Sequence, residues 1–201
     1  MVIQPQQFKN IDIPKDKVLA RLGFTQKKAS ADTSIQNIVD SEIVLAKKLI
    51  LLKQVVASSK IEFLKPNIIK LQPNLKIISS KLYRFLNGYN LAFGFAVTIG
   101  PALEEKRQLY ISDKQSTKAL VLDAVGSVIA EELAEITNKQ ISERFTHSSK
   151  RFSPGYGDWD ISGQADFLKW LDAEKIGIKL NNKFIMTPEK SVSAIIGIKD
   201  E

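Results

Sequence analysis

Apolar positions in DSEIVLAKKLILLKQVV, Asp40 to Val56, recur at helical spacing with Lys47, Lys48 and Lys53 on the polar side. The pattern predicts a core-facing helix capped by Asp40 or Ser41. Lys60 to Leu64 and Leu75 to Ile78 read as strands around turns at Pro66 and at Pro73-Asn74. Ser79 or Ser80 caps a short helix through Leu86, which Gly88 ends. The run YNLAFGFAVTI, Tyr89 to Ile99, is apolar on both faces and bounded by glycine at each end, as a buried central strand is. Gly100-Pro101 starts another helix, and Lys118 to Phe145 forms the longest periodic segment, with Leu120, Val121, Ala124, Val125, Val128, Ile129, Leu133 and Ile136 at helical intervals. Ser162 to Lys175 predicts an amphipathic helix in which Trp170 stands at core spacing with Phe167 and Leu171. FIM, Phe184 to Met186, and VSAIIGI, Val192 to Ile198, predict two strands joined across Pro188-Glu189-Lys190. Helices and strands follow one another without regular alternation, so the expected fold is a single α+β domain over residues 1–201 with a mainly antiparallel sheet.

Charge and composition narrow the chemistry. The formal net charge is +7, yet the lysines are scattered from Lys9 to Lys199 and never form a block. Evenly spread lysine serves solubility or an acidic protein partner, and nucleic acid is not the expected partner. Within the central strand GFAV resembles part of an RNA-recognition pattern, but Leu91, Ala92 and Thr98 stand where basic and aromatic neighbours belong, which favours a core strand. There is no cysteine, which excludes disulfides, thiolate metal sites and cysteine nucleophiles. His147 is the one histidine and sits among Thr146, Ser148, Ser149 and Lys150, so neither a metal site nor a triad is expected. The start MVIQPQQFKNIDIPKDK lacks the features of a secretion signal, and no apolar run is long enough to span a bilayer. A cytoplasmic location with no membrane partner is the expectation.

The stretch RFSPGYGDWD, Arg151 to Asp160, has the composition of a binding loop. Pro154 fixes one φ angle and Gly155 admits a ligand without a Cβ in the way. Arg151 can hold a carboxylate through two parallel hydrogen bonds, and Tyr156 offers a ring face to a base or a cation. A ligand with a carboxylate, a positive centre and a flat base suits this set, and S-adenosylmethionine has all three. The alternative is a surface turn whose arginine pairs with Asp158 or Asp160. No glycine-rich phosphate loop or dinucleotide fingerprint is present.

RFSPGY, then a helix ending in LDAEKIGIKL, then MTPEKSVS, resembles the carboxy-terminal reactivation domain of cobalamin-dependent methionine synthase in motif order and spacing. That family carries Arg-x-Ala-Pro-Gly-Tyr, Leu-x-x-x-Glu-Lys-x-x-Gly-x-x-Leu and Met-x-Pro-x-x-Ser-Val-Ser. DAVGSVIAEELAE looks like its long helix, and Glu131 falls on a glutamate of the ligand cleft. The motifs lie in residues 89–201, and 1–88 form a divergent amino-terminal part. Phe152 and Ser153 stand where the family has proline and alanine, and the acidic loop before the arginine is shortened to THSSK.

The resemblance implies a C-shaped α+β fold with a curved antiparallel sheet. It implies a cleft in which Arg151 binds the carboxylate of S-adenosylmethionine, backbone groups of Ser153 and Gly155 bond the ligand, and Tyr156 and Glu131 line the walls. The implied function is reductive methylation of cob(II)alamin, in which the methyl donor is positioned for a cobalamin supplied by a partner. That partner is a methionine synthase core or another corrinoid methyltransferase, and a flavodoxin-type protein donates the electron. No Asp-x-His-x-x-Gly cobalamin pattern occurs, so the expectation is a free-standing activator. The competing expectation is a non-catalytic module or chaperone that binds a corrinoid protein and has lost the ligand. Ser191 and Ser193 match the last motif, though alternate serines in a strand also suit plain surface positions.

Overall fold

The structure is a computed structural model that describes residues 2–24 and 33–199. The chain begins with β1 (Val2–Gln7), α1 (Lys15–Arg21) and α2 (Thr33–Leu49). A meander follows, of β2 (Lys53–Lys65), β3 (Ile68–Leu71) and β4 (Leu75–Ile78), then α3 (Ser80–Leu86), β5 (Leu91–Thr98), α4 (Ala102–Ser112) and the long α5 (Ser116–Ser142). The remainder holds β6 (His147–Ser148), α6 (Gly163–Leu171), a 3-10 turn at Ala173–Ile176, β7 (Lys179–Leu180), β8 (Met186–Thr187) and β9 (Ser191–Lys199). The main sheet has the order β4-β3-β2-β5-β9-β6, with β1 on β2, and every described pairing is antiparallel. The α+β reading with an antiparallel sheet therefore holds.

Two cores flank the sheet, and β5 shows how the sequence builds both. Phe93, Phe95 and Val97 enter the core formed with α1, α2, α4 and α5, while Ala92 and Ala96 enter the other, with α3, α6 and β3–β4. Alternating large and small side chains let one strand face two different partners. Gly94 completes the small face: a Cβ there would lie 2.5 Å from Trp170 and 2.9 Å from Phe167, so α6 rests on bare backbone. The GFAV segment is thus buried on both sides and offers no ring to a base.

Several boundaries differ from expectation. The helix expected over Asp40–Val56 spans Thr33–Leu49, and Gln54, Val55 and Val56 join β2, opposite Val97, Ala96 and Phe95. β-branched residues at a helix end satisfy strand periodicity as well, and the β5 ladder decides between them. Asp40 lies within α2 and pairs with Lys15 at 2.7 Å, and Ser41 bonds the Ile38 carbonyl, so neither caps the helix. The helix expected over Ser162–Lys175 breaks at Asp172, whose φ is +58°, and continues as the 3-10 turn. FIM is not a strand partner of VSAIIGI: Phe184 has φ +59° in a turn, Met186 pairs with Leu180 in a small hairpin, and β9 pairs with β5. Ser191 and Ser193 are buried rather than surface positions, the first donating to the Pro188 carbonyl at 2.7 Å. The strand at 75–78 and the Ser79 cap stand where the pattern put them, 60–64 lies within the longer β2, and the long helix expected over Lys118–Phe145 spans Ser116–Ser142.

One buried charge shapes stability. Glu42 is 2% exposed and its carboxylate accepts a hydrogen bond from the Tyr110 hydroxyl at 3.1 Å. Burial pushes the Glu42 carboxyl above its ordinary value, against the opposing pull of Tyr110, Lys118 and Lys106. A raised carboxyl contributes stability that is complete in acid and lost as pH rises through the folded value. Glu42→Gln keeps an acceptor for Tyr110 without the charge, so its Tm rises above wild type at neutral pH. The difference closes below about pH 4 as the wild-type carboxyl protonates; a pH series of thermal melts with no such convergence would contradict this.

Candidate functional site

The loop after β6 is held by its own turns. Pro154 and Gly155 occupy the corners of a tight turn in which the Tyr156 N–H donates to the Ser153 carbonyl at 3.1 Å. Gly155 has φ +86°, the value such a turn demands and a side chain resists. The Gly155 N–H donates to the Trp159 carbonyl at 2.8 Å, and the Trp159 N–H to the Tyr156 carbonyl at 3.1 Å. Phe152 bridges Ile195 of β9 in both directions, and the Ser153 hydroxyl donates to the Ser193 carbonyl at 2.8 Å, fixing the loop to the sheet.

Asp158 ties the other end to α3. Its carboxylate accepts from the Ser79 hydroxyl at 2.5 Å and from the N–H groups of Ser80 and Lys81 at 2.8 and 3.0 Å. These bonds, the Ser79 hydroxyl foremost, lower its pKa to about 2. A depressed carboxyl supports the fold above its unfolded value and loses that support as pH falls through the folded one. The window therefore runs from about pH 4 down to about pH 2. Asp158→Asn, with one acceptor oxygen fewer and no charge, is expected to show a shallower fall in Tm across that window than wild type. Parallel slopes would remove the assigned role. Asp160 turns to the Ser162 N–H at 2.8 Å, so neither aspartate pairs with Arg151.

Arg151 instead crosses to α5. Its Nη2 forms a short ion pair with Glu131 and reaches Glu135 at 3.6 Å. Beside this pair opens a cleft of about 400 Å³ lined by Glu131, Glu135, Asn138, Lys150, Arg151, Ser153, Tyr156 and Val192. That volume lies in the range of small-molecule sites. Four of the five residues expected at the site, Glu131, Arg151, Ser153 and Tyr156, line it, and Tyr156 is 63% exposed. Gly155 is exposed, is not among the lining residues, and sets the turn.

Sequence reasoning missed Glu135, Asn138, Lys150 and Val192. The first two were within reach, because they follow Glu131 by one and two turns on the same helix face. Val192 enters only through the β9 register, and Trp159, in the loop itself, is buried at 3% exposure. His147 is exposed on β6 and takes no part in the cleft. No helix among the described residues is long and apolar enough to cross a membrane.

A crystal structure of the MetH reactivation domain bound to AdoHcy matches with a TM-score of 0.70 at 16% identity, covering 98% of this chain and 78% of that chain. No curated protein matches the chain. The fold is thus that of the MetH reactivation domain. The family model described as vitamin B12 dependent methionine synthase, activation domain, matches residues 87–201, and the chain belongs to that family.

Proposed function

We propose that the chain binds S-adenosylmethionine in the Arg151 cleft and acts as the reactivation module of a cobalamin-dependent methionine synthase or a related corrinoid methyltransferase. The observation that carries this reading is the guanidinium of Arg151 at the edge of a cleft of about 400 Å³, faced by Glu131. The residues present fit the ligand: Arg151 for the carboxylate, the α5 glutamates for positive charge, and the exposed Tyr156 ring for the adenine. The corrinoid, held by a partner protein, supplies the cobalt that accepts the methyl group. This chain's residues grip the amino-acid end, keep the methyl group toward the open side, and limit access of water; no proton transfer is required of them. The basic balance of +7 suits an acidic electron donor of the flavodoxin type.

A second reading draws on the ion pairs that already engage Arg151. A module that has lost the ligand would keep its arginine neutralised in this way and still dock on a corrinoid protein. Calorimetric titration with S-adenosylmethionine separates the two. Saturable one-to-one binding supports the first reading, whereas no heat at millimolar ligand, with retention on an immobilised corrinoid protein, supports the second.

A further inference from the structure

Glu131 and Glu135 stand one turn apart on α5, and both reach the same nitrogen, Nη2 of Arg151. A carboxylate that grips an arginine through two parallel hydrogen bonds uses Nη2 in either approach, with Nε from the side or with Nη1 from the end. A ligand carboxylate therefore takes one of the two N–H groups of that nitrogen and leaves a single one for the two glutamates. The other cation of the cleft is Lys150. Two carboxylates, with side chains 56% and 58% exposed, then face the ligand with little to balance them. A ligand that carries its own positive charge restores the balance.

Spacing divides the work between them. In an α-amino acid the ammonium sits beside the carboxylate, which places it near Glu131, the closer partner of Arg151. Four helical residues advance about 6 Å, and the four bonds from the ammonium nitrogen to the sulfur of an extended methionine chain span nearly as much. Glu135 then stands opposite the sulfur. Asn138 lies one turn further along the same wall, and its buried Oδ1 has no donor among the described residues. An acceptor there suits a donor group on the nucleoside.

We infer that Glu135 is the subsite for the sulfonium and selects S-adenosylmethionine over its neutral thioether product, S-adenosylhomocysteine. The inference rests on the ligand reading above and deepens it to a choice between charged donor and spent product. It gives the cleft a way to release the product once the methyl group and its charge have left.

The test is calorimetric titration of the intact chain and of Glu135→Gln with each of the two ligands. Wild type is expected to bind the sulfonium more tightly; in the variant that affinity falls about tenfold, as for loss of one charge-assisted contact, while S-adenosylhomocysteine binds as before. Glu135→Asp, which keeps the charge, retains part of the preference, and circular dichroism confirms the fold of both variants. Equal weakening of the two ligands places Glu135 on the ammonium and overturns the inference, as does an unchanged ratio. Wild type that binds neither ligand overturns the ligand reading itself, a distinct outcome.

Discussion

Replacing Phe167 by alanine is expected to cost about 3–5 kcal/mol of folding stability, the range for a buried aromatic removed from a core that cannot collapse. Phe167 is fully buried, meets Trp159 edge-on with centroids 5.3 Å apart, and stacks on Trp170 at 5.9 Å. Beneath it lies the bare backbone of Gly94 in β5, which is bonded to β2 on one side and β9 on the other. A strand held on both edges cannot move in to fill the space. For a domain whose total stability is on the order of 5–15 kcal/mol, such a loss is a large share, and at about 2–4 °C per kcal/mol the Tm falls by roughly 6–20 °C. Leu120→Ala, at a position 63% exposed on α5, serves as the control and changes stability by no more than about 0.5 kcal/mol. Denaturant melts that show a Phe167→Ala loss under about 1 kcal/mol would overturn this account of the second core. The same variant also loosens the binding loop, because Trp159 ends that loop and rests on the lost ring.

Arg151→Ala is expected to weaken S-adenosylmethionine binding by roughly 1.5–3 kcal/mol, about 10- to 150-fold in Kd. The existing ion pairs do not cancel this gain. Glu131 and Glu135 are more than half exposed, and an exposed pair contributes about 0–1 kcal/mol. A bidentate carboxylate grip is worth more, so exchange of partners at Nη2 favours the ligand. Arg151→Lys keeps a charge but loses the planar fork, and its affinity falls between wild type and alanine. Calorimetry on the three proteins gives the order; equal affinity of alanine and wild type would remove Arg151 from the site. Truncation also leaves the two glutamates without their cation, which adds repulsion near the ligand carboxylate and places the loss toward the upper end of the range.

The turn, the helix cap and the central strand were legible because each answers a local demand. Pro154-Gly155 requires a turn with one positive φ, Ser79 requires a helix start beside it, and the unbroken apolar run at β5 requires burial on both faces. Such demands act within a few residues and leave a mark in the order of side chains. The partner of Arg151 was not legible in the same way. Asp158 and Asp160 were nearer in sequence, but α3 and the Ser162 N–H take them, and the arginine crosses to a helix twenty residues upstream.

The sequence by itself determined the class of fold, the position of the long helix and central strand, the turn at Pro154-Gly155, and the arginine with its resemblance to a methyl-donor cleft. Tertiary structure decided where α2 gives way to β2, which strands Met186 and Val192 join, and that Glu135, Asn138 and Lys150 share a wall with Arg151. The physical reason is range. Turn geometry, caps and periodicity are settled by neighbours along the chain. Strand partners and the choice among competing carboxylates are settled by free-energy differences between groups far apart in sequence, which only the folded packing brings within reach.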